Sequence, residues 1–355
     1  MLNAVYFIIV LSILIFVHEL GHFLLARLVG VKVLAFSLGF GKKLLSFKRG
    51  DTEYAVSAVP LGGYVKMLGE SAEDVVSEEE ASRSYPNQPP AARLAIAFAG
   101  PFFNVLFAVL VFFVLYLTGY AVPSTTTEIG QVIEGQPAYS AGLKQGDVVT
   151  RIDDREVHKW SDLQKIVGGS DLRPLKLEID RKGRQMVIWV TPKLQDEKNV
   201  FGETVGKMKL IGVAPASEIR REPLAGAASK AVVDTCNLTE LTVIGIVKLV
   251  KGSISAKNVG GPILIFQQAG ERAKAGRSSF LFFLALISIN LGVVNLLPIP
   301  ILDGGQIFFS IAELIVRRKI PVKAMEVAQR VGVGILVCIM VLATFNDIMR
   351  LFHVR

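Results

Sequence analysis

The sequence predicts a polytopic α-helical membrane protein with about four transmembrane helices, a membrane-associated β-hairpin and one extracytoplasmic α+β domain. Three observations predict it. Of the 355 residues, 51% are hydrophobic, too many for a water-soluble chain; the apolar residues gather into separate runs of spanning length; and a long polar stretch of mixed strand and helix pattern divides those runs. The net charge is +8. The Lys and Arg behind it sit beside the apolar runs, where cytoplasmic loops and anionic lipid account for them, so nucleic acid is not expected as a partner. Two cysteines, Cys236 and Cys338, leave no disulfide framework and little basis for a cysteine nucleophile.

The first run extends from Ala4 to about Leu28, enough at 1.5 Å per residue to cross roughly 30 Å of hydrocarbon. It lacks a small-residue cleavage site and is expected to stay as a helix. Within it stand His18, Glu19 and His22. Residues four apart on a helix share a face, so the two histidines can give their nitrogens to one Zn²⁺ while Glu19 lies beside them as a general base. Burying these groups costs on the order of several kcal/mol unless a partner such as a divalent cation compensates. The bland alternative is a pair of histidines that only hydrogen-bond within a helix bundle. Arg27, Lys32, Lys42, Lys43, Lys48 and Arg49 follow closely, which puts the C-terminal end of this run, and the His-Glu-His cluster with it, on the cytoplasmic side.

The period then changes. Val31 to Phe47 and Thr52 to Met67 alternate polar and apolar residues and meet at Lys48-Arg49-Gly50-Asp51, the pattern of a β-hairpin. Gly39, Gly41, Gly62 and Gly63 mark tight turns or the approach of another backbone. Either the ribbon packs under the helices, or Gly62 and Gly63 lie on an edge that pairs with an extended substrate. Glu70 to Pro90, with Glu73, Asp74 and the triplet Glu78 to Glu80, is too polar to bury a core and reads as a solvated cytoplasmic loop. The second run, Leu94 to Tyr120, contains Gly100-Pro101 and Asn104. Proline frees backbone carbonyls, and Asn104 either satisfies them or faces the site.

From Tyr120 the chain stays outside. Strand, short helix, strand and strand between Val148 and Pro192 suit one compact domain, and Ala141-Gly142-Leu143-Lys144-Gln145-Gly146-Asp147 resembles the signature of bacterial PDZ domains. That resemblance implies a peptide-binding strand at Leu210-Ile211-Gly212-Val213, with Ile211 and Gly212 as substrate-binding residues. Pro223 to Lys251 is long enough to span but spreads Lys230, Asp234, Glu240, Lys248 and Lys251 through its length; an amphipathic helix on the outer surface is expected, with a fifth span as the alternative. Phe280 to Leu297 is the third clear span. Pro298 and Pro300 end it, so Asp303 is expected on irregular backbone near the cytoplasmic face. Val331 to about Met349 is the last span. The expected divisions are therefore residues 1–120, 121–222, 223–275 and 276–355.

Together His18-Glu19-Leu20-Gly21-His22, Gly100-Pro101-Phe102-Phe103-Asn104 and Asn295 to Gly305, in this order around a PDZ-like insert, resemble the bacterial RseP-type branch of the site-2 protease family. The resemblance implies an intramembrane zinc metalloprotease of the cytoplasmic (inner) membrane that cuts single-span membrane proteins, often anti-sigma factors, in regulated intramembrane proteolysis. It implies His18, His22 and Asp303 as zinc ligands, Glu19 as the catalytic base, Asn295 as a positioning residue and the hairpin as a membrane-reentrant loop. The chain departs from several relatives in carrying one PDZ signature where they carry two. Remnant signal peptides are an alternative substrate, and a non-catalytic PDZ scaffold or a metal transporter an alternative role. Both Glu19 and Asp303 are present, which speaks against the latter two. The oligomeric state is not legible.

Overall fold

The computed structural model describes residues 2–70, 74 and 76–353; Glu73 of the acidic loop lies outside them. The chain divides into two units, Met1–Leu117 with Pro223–Arg355, and Thr118–Glu222.

In the first unit, α1 (Leu2–Leu28), α2 (Pro90–Thr118), α7 (Arg277–Asn295) and most of α9 (Val322–His353) are long and apolar enough to cross a membrane. Between α1 and α2 lie β1 (Val33–Arg49) and β2 (Thr52–Met67). These two strands are too long for a flat ribbon. The stretch Ala35 to Leu38 pairs on one side with Gly63 to Lys66 and on the other with Glu53 to Val56, while Leu45 to Arg49 pairs with Thr52 to Val56. The hairpin thus folds back on itself, and the end of β2 forms one border of a small sheet. Phe23 and Ala26 of α1 pack on Val33, Phe36, Val65 and Met67 to hold that border against the helix.

Helix α5 (Leu224–Val250) covers the segment in which charges are scattered. Some of those charges face inward: the Tyr116 hydroxyl donates to Asp234, Lys230 pairs with Asp234, and Thr242 donates to Asn290 of α7, while Glu240 and Lys251 are exposed. Val232, Val233, Leu241, Val243, Ile244 and Val247 are exposed as well. Helix α6 (Pro262–Lys274) starts under Asp347 of α9, whose two carboxylate oxygens accept the backbone N–H groups of Gly261 and Leu264 at 3.0 Å each. After α7, two prolines and a run of tight turns lead to α8 (Asp303–Val316). Asp303, expected on irregular backbone, is the first residue of that helix, where a carboxylate complements the positive end of the helix dipole. A buried ion pair between Arg93 and Glu313 ties the start of α2 to the end of α8.

In the second unit, β3 (Tyr120–Pro123) pairs with β12 (Ser217–Arg220), and β4 (Ile129–Val132) with β11 (Val213–Pro215). The short α3 (Pro137–Ser140) precedes a four-stranded sheet of order β6-β5-β7-β8, built from β5 (Val148–Ile152), β6 (Arg155–Glu156), β7 (Leu175–Arg181) and β8 (Arg184–Val190). Helix α4 (Trp160–Gly169) closes a core of Ile129, Val149, Ile152, Leu163, Val167, Leu177 and Ile179. Strands β9 (Lys193–Lys198) and β10 (Thr204–Leu210) form a separate hairpin. Asp147, the last residue of the Ala141 to Asp147 signature, is buried and accepts from Arg181 Nε at 2.7 Å, Arg181 Nη2 at 2.8 Å and Lys144 N at 2.8 Å. Burial alone would raise this carboxyl's pKa, but the Arg181 hydrogen bonds, the Lys144 N–H and the positive charge of both side chains together outweigh it and hold it below the usual value. The strand expected at Leu210 to Val213 is interrupted: β10 ends at Leu210 and β11 begins at Val213. Gly212 adopts φ +83°, and the carbonyls of Ile211 and Gly212 accept from Ala138 and Ile133, so neither residue continues a ladder. Both still line a groove beside α4.

Candidate metal centre

His18 and His22 lie on the face of α1 that meets α2, and both are buried. Their Nε2 atoms are 3.2 Å apart. Two nitrogens this close repel unless something positive lies between them. Asp303 completes the set, with Oδ2 3.1 Å from His18 Nε2 and Oδ1 3.3 Å from His22 Nε2. Ligands at 2.0–2.1 Å in a tetrahedron around zinc stand about 3.3 Å from each other; the two imidazole nitrogens are at that spacing, each faces its own Asp303 oxygen at a similar distance, and one ligand atom from each of the three residues lies within 4.8 Å of the others. Asp303 Oδ2 is also buried without a hydrogen-bond partner. The residues present therefore fit a zinc ion.

Room for the cluster comes from α2. A Cβ on Gly100 would stand 2.2 Å from His22 Nε2 and 2.8 Å from His18 Cε1, so the glycine ahead of Pro101 is what lets the imidazoles in. The outer nitrogens are also fixed by α2. His22 Nδ1 donates to the Ile96 carbonyl at 2.8 Å, which leaves Nε2 as a lone pair for a metal. Asn104 Nδ2 lies 3.1 Å from His18 Nδ1, while Asn104 Oδ1 is buried with no partner. Turning that amide over satisfies both: His18 Nδ1–H donates to Oδ1, and His18 Nε2 too becomes a free lone pair. Asn104 is fully buried against His18 and absent from the lining of the cavity described next.

Asp303 reaches the histidines because the chain after α7 folds tightly. Leu297, Ile299 and Leu302 form successive turns, and a Cβ on Gly304 would stand 2.2 Å from the Leu297 carbonyl. Asn295, the last residue of α7, points its Nδ2 to 3.3 Å from His18 Nε2.

A cavity of about 310 Å³ opens from the cluster. Glu19, Asn295, Gln306, Gly63, Val65, Tyr85 and Glu70 border it together with the three candidate ligands. The Val65 backbone N–H faces the Glu19 carboxylate, and the Met67 N–H donates to Glu70 Oε2 at 3.0 Å. These donors, two residues apart, both point away from β1, so the cavity edge of β2 is the side that faces Glu19 and Glu70. Gly63 lines the cavity; Gly62, at φ +136° under the Phe40 ring, does not. Ile211 and Gly212 belong to the other unit and its own groove. Sequence reasoning passed over Glu70, taking it as the start of a solvated loop. Glu70 is exposed to solvent, yet the protein packed around it raises its pKa, offset in part by the Met67 N–H; burial also raises the Tyr85 hydroxyl, with Glu70 adding to the effect.

The profile of Peptidase family M50 matches residues 6–339. A protein named "Putative zinc metalloprotease Cj1068" from Campylobacter jejuni is 38% identical over 97% of this chain and 92% of its own. Another named "Putative zinc metalloprotease", from Helicobacter pylori strain J99, is 39% identical over 97% of this chain and 98% of its own. The solved PDZ domain of the SdrC-like protein from Listeria monocytogenes matches 26% of this chain and 88% of its own at 15% identity, with a TM-score of 0.20, too distant to place a fold.

Proposed function

Because the chain belongs to peptidase family M50, whose members use zinc, we propose that it hydrolyses peptide bonds inside the spanning segments of single-span membrane proteins, anti-sigma factors among them. The observation that carries this reading is the cluster of His18, His22 and Asp303, one ligand atom from each within 4.8 Å of the others, beside Glu19 and a strand edge. Bound there, zinc supplies a water with a pKa near 7 and polarises the scissile carbonyl.

The chain's own residues do the rest. Glu19, next to the ligands and outside their set, takes the proton from the attacking water and passes it to the leaving amine. Asn295 holds its amide N–H where it can hydrogen-bond the carbonyl oxygen of the scissile bond. A helical substrate hides its carbonyls in its own hydrogen bonds and must unwind; the cavity edge of β2, from Gly63 to Met67, offers replacement donors and acceptors. For pairing to extend along that edge, the substrate backbone has to take over the N–H groups now held by Glu19 and Glu70. Ile211 and Gly212 line a peptide groove in a PDZ-like domain outside the cytoplasm. That domain restricts which substrates reach the site and takes no part in the chemistry. The site itself opens toward the cytoplasmic side of the inner membrane, in the regulated sequence where a first protease has shortened the substrate.

The test uses the purified full chain in detergent or liposomes. Asp303→Ala is expected to lose both zinc and cleavage, and Glu19→Gln to keep the metal and lose turnover. Unchanged proteolysis in either variant would overturn the assignment.

A further inference from the structure

The charged residues lining the metal cavity are all acidic apart from the two histidines: Glu19, Asp303 and Glu70, with no Lys or Arg among the described residues. Three carboxylates around a dication leave about one negative charge without a counterpart when all are ionised. Glu19 and Asp303 have roles at the metal. Glu70 does not. Its carboxylate lies just beyond the end of β2, where the Met67 N–H donates to it, and among the described residues no Lys or Arg is paired with it; the neighbouring Lys66 is paired with Asp74.

A substrate strand laid along Gly63 to Met67 offers a carbonyl to that same Met67 N–H. Glu70, which is exposed at the cavity's border, then loses that hydrogen bond and is left facing the next residues of the substrate. Single-span proteins carry a cation there by rule, since Lys and Arg are enriched at the cytoplasmic end of a span. Resting on the protease reading above, we infer that Glu70 is a specificity residue that pairs with a Lys or Arg on the cytoplasmic flank of the substrate span. The substrate class narrows accordingly. Spans whose cytoplasmic flank lacks a cation are poor substrates even when they unwind readily.

The experiment uses the full chain loaded with zinc in liposomes and two synthetic single-span peptides identical but for a Lys-Lys or a Gln-Gln cytoplasmic flank. The wild type is expected to cut the Lys-Lys peptide with about fivefold higher kcat/KM, the size of a half-exposed charge pair. Glu70→Gln keeps an oxygen for Met67 N–H and is expected to erase that preference. Glu70→Lys with a Glu-Glu peptide is expected to restore cleavage, which a merely structural Glu70 could not produce. A wild type that cuts both peptides equally, a Glu70→Gln variant that keeps the preference, or a Glu70→Lys variant that gains nothing on Glu-Glu overturns the inference and leaves the protease reading standing. A zinc-loaded wild type that cuts neither peptide overturns both.

Discussion

At the scale of single residues, the separation of ligand, base and supporting groups can be measured. Glu19→Gln is expected to cut turnover by about 10²- to 10⁴-fold while metal analysis stays unchanged, because Glu19 borders the cluster without belonging to it. Asn104→Ala frees the outer nitrogen of His18 and is expected to weaken zinc binding by about 10- to 100-fold, read by competition with a chelator. Gly100→Ala should do at least as much, since the added methyl stands where His22 Nε2 now sits; a variant that binds zinc normally would show that α2 can shift to make room. The His-Glu-His spacing was legible because an α-helix fixes it locally. What Gly100 and Asn104 do was not, since it depends on how α2 crosses α1 and on no local pattern.

At the scale of elements, the hairpin was legible as alternation, but not which of its parts borders the site. That depends on the ribbon folding over, so that Ala35 to Leu38 is paired on both sides and Gly63 to Met67 is left at the border. A cysteine at Tyr64, with Cys236 and Cys338 removed and Glu19→Gln to hold the substrate, is expected to cross-link to substrate cysteines at alternate positions. A spacing near 3.6 would mean the bound substrate is still helical. In the second unit, the signature ending at Asp147 was legible as a motif, but its cause is the Arg181 pair reached from β7. Asp147→Asn is expected to destabilise that unit by about 3 kcal/mol, less than a fully buried pair because Arg181 is partly exposed, seen as faster hydrogen exchange confined to residues 118–222. The carboxyl's folded pKa lies below its ordinary 3.8. Its contribution is therefore complete above that value, and it is lost as pH falls through the lower, folded value.

At the scale of the whole molecule, four apolar runs and a polar insert were readable because hydropathy and length suffice for them. Helix α5 was harder. Its charges suggested a water-facing side, and Glu240 and Lys251 are exposed, but Asp234 and Thr242 turn toward α2 and α7 and many apolar residues are exposed beside them, contacts that depend on partners far along the chain. If the second unit lies outside the cytoplasm, a cysteine at the exposed Ser161 should react with an impermeant maleimide in intact cells, and one at Lys43 only after permeabilisation. Labelling with the opposite pattern would invert the topology. The metal triangle also has a consequence in time. His18 and His22 are made with the first helix, but Asp303 comes from α8, well after the insert has been translated. On the zinc reading, a nascent chain that ends before α8 carries two candidate ligands and Glu19 without the third, and is expected to cut nothing around it until Asp303 has emerged.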